Sequence, residues 1–328
     1  MIVIKWAAVV QFFCIASFCE GKKCSYTLAM IADNDGSSVA TDGRSWESTL
    51  RTGLLEVDED HTTAEYSFER DVKLDSGLCW KGRGMELSSL AVFGKELIAV
   101  GDKTGVLFKV LNGNSAVPWV ILAAGDGTDP SKGFKGEWTT QKDCKLHVGS
   151  HGDLAARRRT LFVKTVSRNG AVKHLDWTKN YRKMYEAVGI QTPGYLTFEA
   201  GQWSKIHRQW FFLPRRVSAE QYSQESDANK GSNKLLIANE DFSNITVREL
   251  GPLVPDRGFS AFQFLPGTKD QVIVALKTME TIDNQLSSFL TVLHLDGRVL
   301  LEETRLKTDQ KFEGIAIFSQ SEAASHNL

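Results

Sequence analysis

Beyond its first 20 residues the 328-residue chain has no long hydrophobic run. No later segment approaches the roughly 18 uninterrupted apolar residues of a membrane helix, so the mature chain reads as soluble. There is no G-x-x-x-x-G-K-[ST] sequence, which excludes the phosphate chemistry of a P-loop. Gly258-Phe-Ser260-Ala-Phe262 lacks the last glycine of a G-x-S-x-G nucleophile elbow. Excess charge of one sign is also missing. The 39 Lys and Arg stand against 40 Asp and Glu, so no basic field favours nucleic acid. No Pro/Gly/Ser-rich linker splits the chain, which reads as one domain. The seven histidines are scattered, and His147 and His151 are joined by Val-Gly-Ser, which is not a helical zinc-pair context. Asp33-Asn-Asp35-Gly36 opens like an EF-hand, but Ser38 and Arg44 replace the required Gly and Glu.

The first 20 residues differ from the rest. Lys5, the apolar run Trp6–Phe18 and the small residues Ser17 and Cys19 read as a cleavable secretory signal peptide over residues 1–20. Residues 21–328 are then the mature, secreted domain. Of five cysteines, Cys24, Cys79 and Cys144 remain after cleavage. They allow one disulfide, with the pair left open. Asn244-Ile-Thr246 is a glycosylation sequon.

What is present is strand. Short β-branched and aromatic runs alternate with Gly, Asn and Asp. Leu87–Phe93, Glu96–Val100, Val106–Val110 and Trp119–Leu122 form one group of four, and later groups follow. Phe312–Phe318 is left alone, and Tyr26–Ile31 is available to pair with it and close a ring. One amphipathic helix is expected through Asn180–Val188, capped by Asp176 or Thr178 and stopped by Gly189. Ser88, Glu137, Glu199, Ser260 and Glu313 recur at the edges of apolar strands, with gaps of 49, 62, 61 and 53 residues. Such a period in a strand-rich chain indicates an all-β, five-bladed propeller. If each lies on an innermost strand, three carboxylates and two hydroxyls meet in a central tunnel. That donor set suits a hard cation, most simply Ca²⁺.

Other acids lie next to these strands. Asp33 and Asp35 follow an apolar strand, Asp102 lies in Gly101-Asp-Lys-Thr-Gly105, and Asp126 in Gly125-Asp-Gly127. Taken one at a time, each is a turn residue; their repetition at strand ends suggests a shared site. Arg83, Arg215, Arg216 and Lys277 supply cations that could match phosphate oxygens, and Trp46 lies near the same motifs. Arg157-Arg158-Arg159 reads as a solvated loop or an anion site.

Eight collinear segments carry a resemblance. They are Gly82-Arg-Gly-Met-Glu-Leu-Ser88, Pro118-Trp-Val-Ile-Leu122, Lys132-Gly-Phe-Lys-Gly-Glu-Trp138, Pro193-Gly-Tyr-Leu196 with Phe198-Glu-Ala200, Arg208-Gln-Trp-Phe-Phe-Leu-Pro-Arg-Arg216, Gly258-Phe-Ser260, Val274-Ala-Leu-Lys277 and Phe312-Glu-Gly-Ile315. Together, from about Ile31 to Ile315, they resemble the calcium-activated nucleotidases, or bed-bug-type apyrases. The resemblance implies a five-bladed propeller with one Ca²⁺ held by Ser88, Glu137, Glu199, Ser260 and Glu313. It also implies hydrolysis of extracellular ATP and ADP to AMP and phosphate by a secreted monomer with no nucleic-acid or membrane partner. With its signal-like leader the chain looks like a salivary, anti-platelet apyrase of a blood-feeding arthropod. Asp33, Asp35 and Asp102 are the expected catalytic acids. Arg83, Asp126, Arg215, Lys277 and Trp46 are the expected substrate contacts. The chain departs from the family's usual acids at Gly101 and Ala124, which leaves two alternatives open: a nucleotide-sequestering propeller without catalysis, and a secretory-pathway diphosphatase preferring UDP or GDP.

Overall fold

In the computed structural model, residues 19–20, 23–155, 158–281, 283 and 285–328 are described. The expected signal peptide falls almost wholly outside them.

Four consecutive antiparallel meanders follow one another along the chain. The first is Leu87–Phe93, Glu96–Gly101, Val106–Leu111 and Ser115–Ile121. The second is Trp138–Lys142, Lys145–Gly149, Phe162–Val166 and Val172–Asp176. The third is Tyr195–Ser204, Gln209–Ser218, Lys234–Asn239 and Ile245–Glu249. The fourth is Arg257–Phe264, Val272–Glu280, Leu286–His294 and Val299–Arg305. The fifth blade is composite. The late strand Phe312–Ser319 pairs with Lys23–Ala32, which continues to Trp46–Asp58 and Ala64–Ser76. The expected pairing of the two ends is therefore present, with Ala29 opposite Ala316. The first strand of each meander and Phe312–Ser319 contact one another in a closed ring, so the fold is a five-bladed propeller.

The apolar runs are continuous because the middle strands are covered by the neighbouring blade on each side. Five buried clusters result, each drawing on two adjacent blades. Between the second and third blades the filling is aromatic. Trp138 meets Phe212 edge-on at 5.3 Å, and Trp177 meets Trp210 at 5.1 Å. Gly149 lies opposite Trp138 in register, where a Cβ would come within 1.9 Å of the indole. Only glycine leaves room for that ring.

The helix spans Thr178–Val188 and ends at Gly189, with φ 79°. Trp177, not Asp176 or Thr178, occupies the cap position; Asp176 Oδ1 instead accepts the Thr178 N–H at 2.9 Å. Trp46–Asp58 and Ala64–Ser76 were not expected as strands. Ala64–Ser76 is an outer edge strand, mostly exposed, so solvent and not a core sets its pattern. Cys79 and Cys144 are free, which overturns a pair drawn from Cys24, Cys79 and Cys144. Cys24 is disulfide-bonded, and the backbone of Cys19 lies opposite it in register. Asn244 is exposed, as a glycosylation acceptor requires. Among the described residues no helix is long and apolar enough to cross a membrane.

Removing the Phe212 ring leaves an aromatic-lined void, so Phe212→Ala is expected to cost about 3–5 kcal/mol. Ile121→Ala, at a side chain 71% exposed, should change stability by less than about 0.5 kcal/mol. Urea unfolding of both variants checks the contrast. His147, packed against Trp210, is held down to about 4 by burial. The unfolded chain therefore binds this proton more readily, and stability falls as pH drops from the usual histidine range toward 4. A His147→Gln variant should lose less stability than wild type between pH 7 and about 4.5 in the same measurement.

Candidate functional site

The residues singled out by spacing occupy equivalent places in the ring. Four sit where strand register slips by one residue: Ser88 between Leu87 and Ser89, Glu199 between Phe198 and Ala200, Ser260 between Phe259 and Ala261, and Glu313 between Phe312 and Gly314. A β-bulge leaves one residue unpaired and re-aims its side chain. Glu137 directly precedes Trp138–Lys142 and donates its N–H to Gly149 O at 2.7 Å. All five are buried.

The three carboxylates are held among cations. His151 Nε2 lies 3.0 Å from Glu137 Oε1 and 3.2 Å from Glu199 Oε1. Arg215 Nη1 donates to Glu199 Oε2 at 2.6 Å and to Glu313 Oε1 at 3.0 Å. Lys135 bridges Glu137, at 2.5 Å, and Asp102, at 2.6 Å. Lys311 reaches Asp35 at 2.7 Å, Glu313 at 3.4 Å and Asp33 at 3.6 Å. Arg83 joins Glu86 to Asp35. These groups line or border a cleft of about 540 Å³.

Burial and these neighbours set the ionisation. Burial pushes Glu199 up, but Arg215 and His151 outweigh it and hold the carboxyl far below its usual range. Burial drives Glu313 well above that range, against Lys311 and with Glu199 and Asp33 adding to the rise. Both glutamates accept from Arg215. Burial also lifts Asp33, to about 6, despite Lys311. In Asp35, Lys311 and Arg83 outweigh burial and lower the carboxyl. Asp102 is raised, chiefly by burial. Burial would lower His151, but Glu137 and Glu199 lift it to about 9.

Of the residues expected from sequence, Asp33, Asp35, Glu137, Glu199, Arg215 and Glu313 line the cleft together. Asp102 reaches it through Lys135, and Arg83 through Asp35. The Ser88 and Ser260 hydroxyls donate to Gly136 O and Phe312 O and are not part of the described lining. Three expected substrate contacts lie elsewhere. Lys277 is buried against Glu303 and over the Phe259 ring. Asp126 is in an exposed turn and accepts from Thr128. Trp46 donates its indole N–H to Gly82 O at 3.0 Å. Sequence reasoning missed His151, Lys135 and Lys311. A signal existed for the lysines: each stands two residues before a spaced glutamate, Lys135 before Glu137 and Lys311 before Glu313, the spacing that in extended backbone puts two side chains on one side.

Among the described residues, two groups of side chains could hold a metal ion. Glu137, His151 and Glu199 offer ligand atoms within 4.8 Å of one another, as do Asp33, Asp35 and Glu86. Glu137 Oε1 is buried and lacks a well-formed hydrogen bond. The oxygen-rich ring around Glu137, Glu199 and Glu313 fits a hard cation such as Ca²⁺.

The sequence pattern of the apyrase family matches residues 34–318. The chain is 45% identical over 299 residues to soluble calcium-activated nucleotidase 1 of Rattus norvegicus, covering 88% of this chain and 73% of that protein. It is 41% identical over 314 residues to apyrase apy-1 of Caenorhabditis elegans, covering 93% and 87%. It is 37% identical over 307 residues to the apyrase of Cimex lectularius, covering 90% and 83%. The similarity thus extends across distant animals and does not single out a blood-feeding source.

Arg215→Met should expose the repulsion between Glu199 and Glu313. Breaking one side of a buried ion pair costs about 3–5 kcal/mol, so the thermal midpoint in chelator should fall. Added CaCl₂ should then raise the midpoint of the variant more than that of wild type, because the cation replaces the missing charge. Calorimetric melting with and without Ca²⁺ checks both shifts.

Proposed function

The chain belongs to the apyrase family, and from that premise we propose a secreted, Ca²⁺-dependent nucleotidase that cleaves ATP and ADP to AMP and phosphate. One observation supports it best: the buried Glu137, Glu199 and Glu313 share one cleft with Arg215, Lys135 and Lys311. Acids able to hold a hard cation thus stand beside cations able to hold phosphate.

In this reading Glu137, Glu199 and Glu313 hold Ca²⁺, with the Ser88 and Ser260 hydroxyls as further oxygen donors. When bound, Ca²⁺ supplies Lewis-acid polarisation of a phosphoryl oxygen. Arg215, Lys135 and Lys311 face the reacting phosphate and offset charge that builds on it. Asp33 takes the proton of the attacking water. Its Oδ1 already accepts the Asp35 N–H at 2.8 Å, which leaves Oδ2 for the proton. An acid lifted to about 6 is matched to base work near neutral pH. Asp35 and Asp102 anchor Lys311 and Lys135, and Arg83 fixes Asp35 and Glu86. Lys277, Asp126 and Trp46 have no substrate contact in this scheme.

The test is phosphate release from ADP, ATP, UDP and GDP by the purified protein in Ca²⁺, in Mg²⁺ and in chelator. The proposal expects release from ATP and ADP with Ca²⁺ and little with Mg²⁺, which prefers a tight octahedral shell. Glu137→Gln should lower the rate by about 10²–10³-fold. Intact nucleotide after incubation with Ca²⁺ would contradict the enzyme. Turnover confined to UDP and GDP would contradict the substrate assignment.

A further inference from the structure

Arg215 and Arg216 are consecutive in one strand, where alternation would send them to opposite faces. Both line the cleft. The pairing of Thr197 with Arg216 and of Phe198 with Pro214 makes Arg215 the extra residue of a bulge, so Arg216 keeps its own place on the wall. Arg215 is fully engaged by Glu199 and Glu313. Arg216 is not. It is only 3% exposed, and neither its Nε nor its Nη1 makes a hydrogen bond. Its nearest acid, Asp227, keeps Oδ2 3.5 Å from Nε, while Asp227 Oδ1 receives the Tyr195 hydroxyl at 2.6 Å. Directly across the hairpin, Thr197 Oγ1 is likewise buried without a partner and lines the same cleft. Native structures leave few such groups, and each calls for an explanation. Two neighbouring ones, on residues that line one cleft, ask for a ligand that accepts hydrogen bonds.

Resting on the proposed nucleotidase reading, we propose that Thr197 and Arg216 form a second phosphate subsite. It holds the phosphate that stays on the nucleoside, while Arg215, Lys135 and Lys311 face the phosphate that leaves. The chemistry is specific in sign. A guanidinium and a hydroxyl donate to an anionic oxygen. Tyr222, Gln224 and Asp227, from the segment after this hairpin, complete that side of the cleft. The substrate class follows: molecules with two consecutive phosphates engage both subsites. The monophosphate product engages one and leaves.

The test uses Thr197→Val, which keeps the shape and removes an oxygen that has no partner in the free protein. Its thermal midpoint should match wild type or exceed it. With Ca²⁺ present, KM for ADP should rise about tenfold with kcat within about twofold, the pattern of lost uniform binding. By calorimetry, inorganic pyrophosphate should bind about tenfold more weakly to the variant, with orthophosphate unaffected. Arg216→Gln should show the same split more strongly. Unchanged KM and pyrophosphate affinity in folded Thr197→Val would overturn the subsite, as would an equal loss of orthophosphate affinity. Pyrophosphate binding separates this inference from the nucleotidase reading. A wild-type protein that releases no phosphate, yet binds pyrophosphate through Thr197, would overturn the activity and keep the subsite.

Discussion

The structure depends on the mutual repulsion of carboxylates that the propeller forces together away from water. Glu137, Glu199 and Glu313 are each less than 8% exposed. Isolated charges so deep would neutralise or break the fold. They persist because each meets a cation: Lys135 and His151 at Glu137, Arg215 and His151 at Glu199, Arg215 and Lys311 at Glu313. The compensation is uneven. Glu199 is held ionised while Glu313 is pushed up. That imbalance is what a divalent cation would relieve, and the cations it frees already face the cleft.

Rigidity comes from the blades. Each interblade core is built from two blades, so no blade can shift without opening two of the five clusters. The bulges at Ser88, Glu199, Ser260 and Glu313 hold their positions because well-paired strands flank them. The bulge at Arg215 repeats the device on the neighbouring strand, so that Arg215 and Arg216 both line the cleft. A site made this way is set by backbone register and depends little on loop conformation.

Much of this was legible in the sequence, for reasons that can be named. The even spacing of Ser88, Glu137, Glu199, Ser260 and Glu313 reflects one equivalent position per blade. The orphan strand at Phe312 and its early partner followed from the need to close a sheet edge. What the sequence hid was contact between distant segments. His151 joins Glu137 and Glu199 only because neighbouring blades bring them together. Lys277 was expected as a phosphate ligand because it ends an apolar strand; its ion pair is with Glu303, two strands across the same blade, a contact the sequence does not show. Ala64–Ser76 escaped notice because this edge strand faces water and lacks an apolar stripe; Trp46–Asp58 did so because its buried stretch includes the polar Ser48, Thr49, Arg51 and Thr52. The sequence left the cysteine pair open among Cys24, Cys79 and Cys144, and spacing alone did not reveal that Cys79 and Cys144 stay free.

The central claim is that the ring of glutamates, and not the outer acids, holds the cation. Anomalous diffraction from crystals soaked in CaCl₂ and a non-hydrolysable ADP analogue tests it most directly. The account predicts one strong peak within coordination distance of Glu137, Glu199 and Glu313, with the analogue's terminal phosphate beside it. A peak seated instead among Asp33, Asp35 and Glu86, with the glutamates still paired to Arg215 and His151, would contradict it.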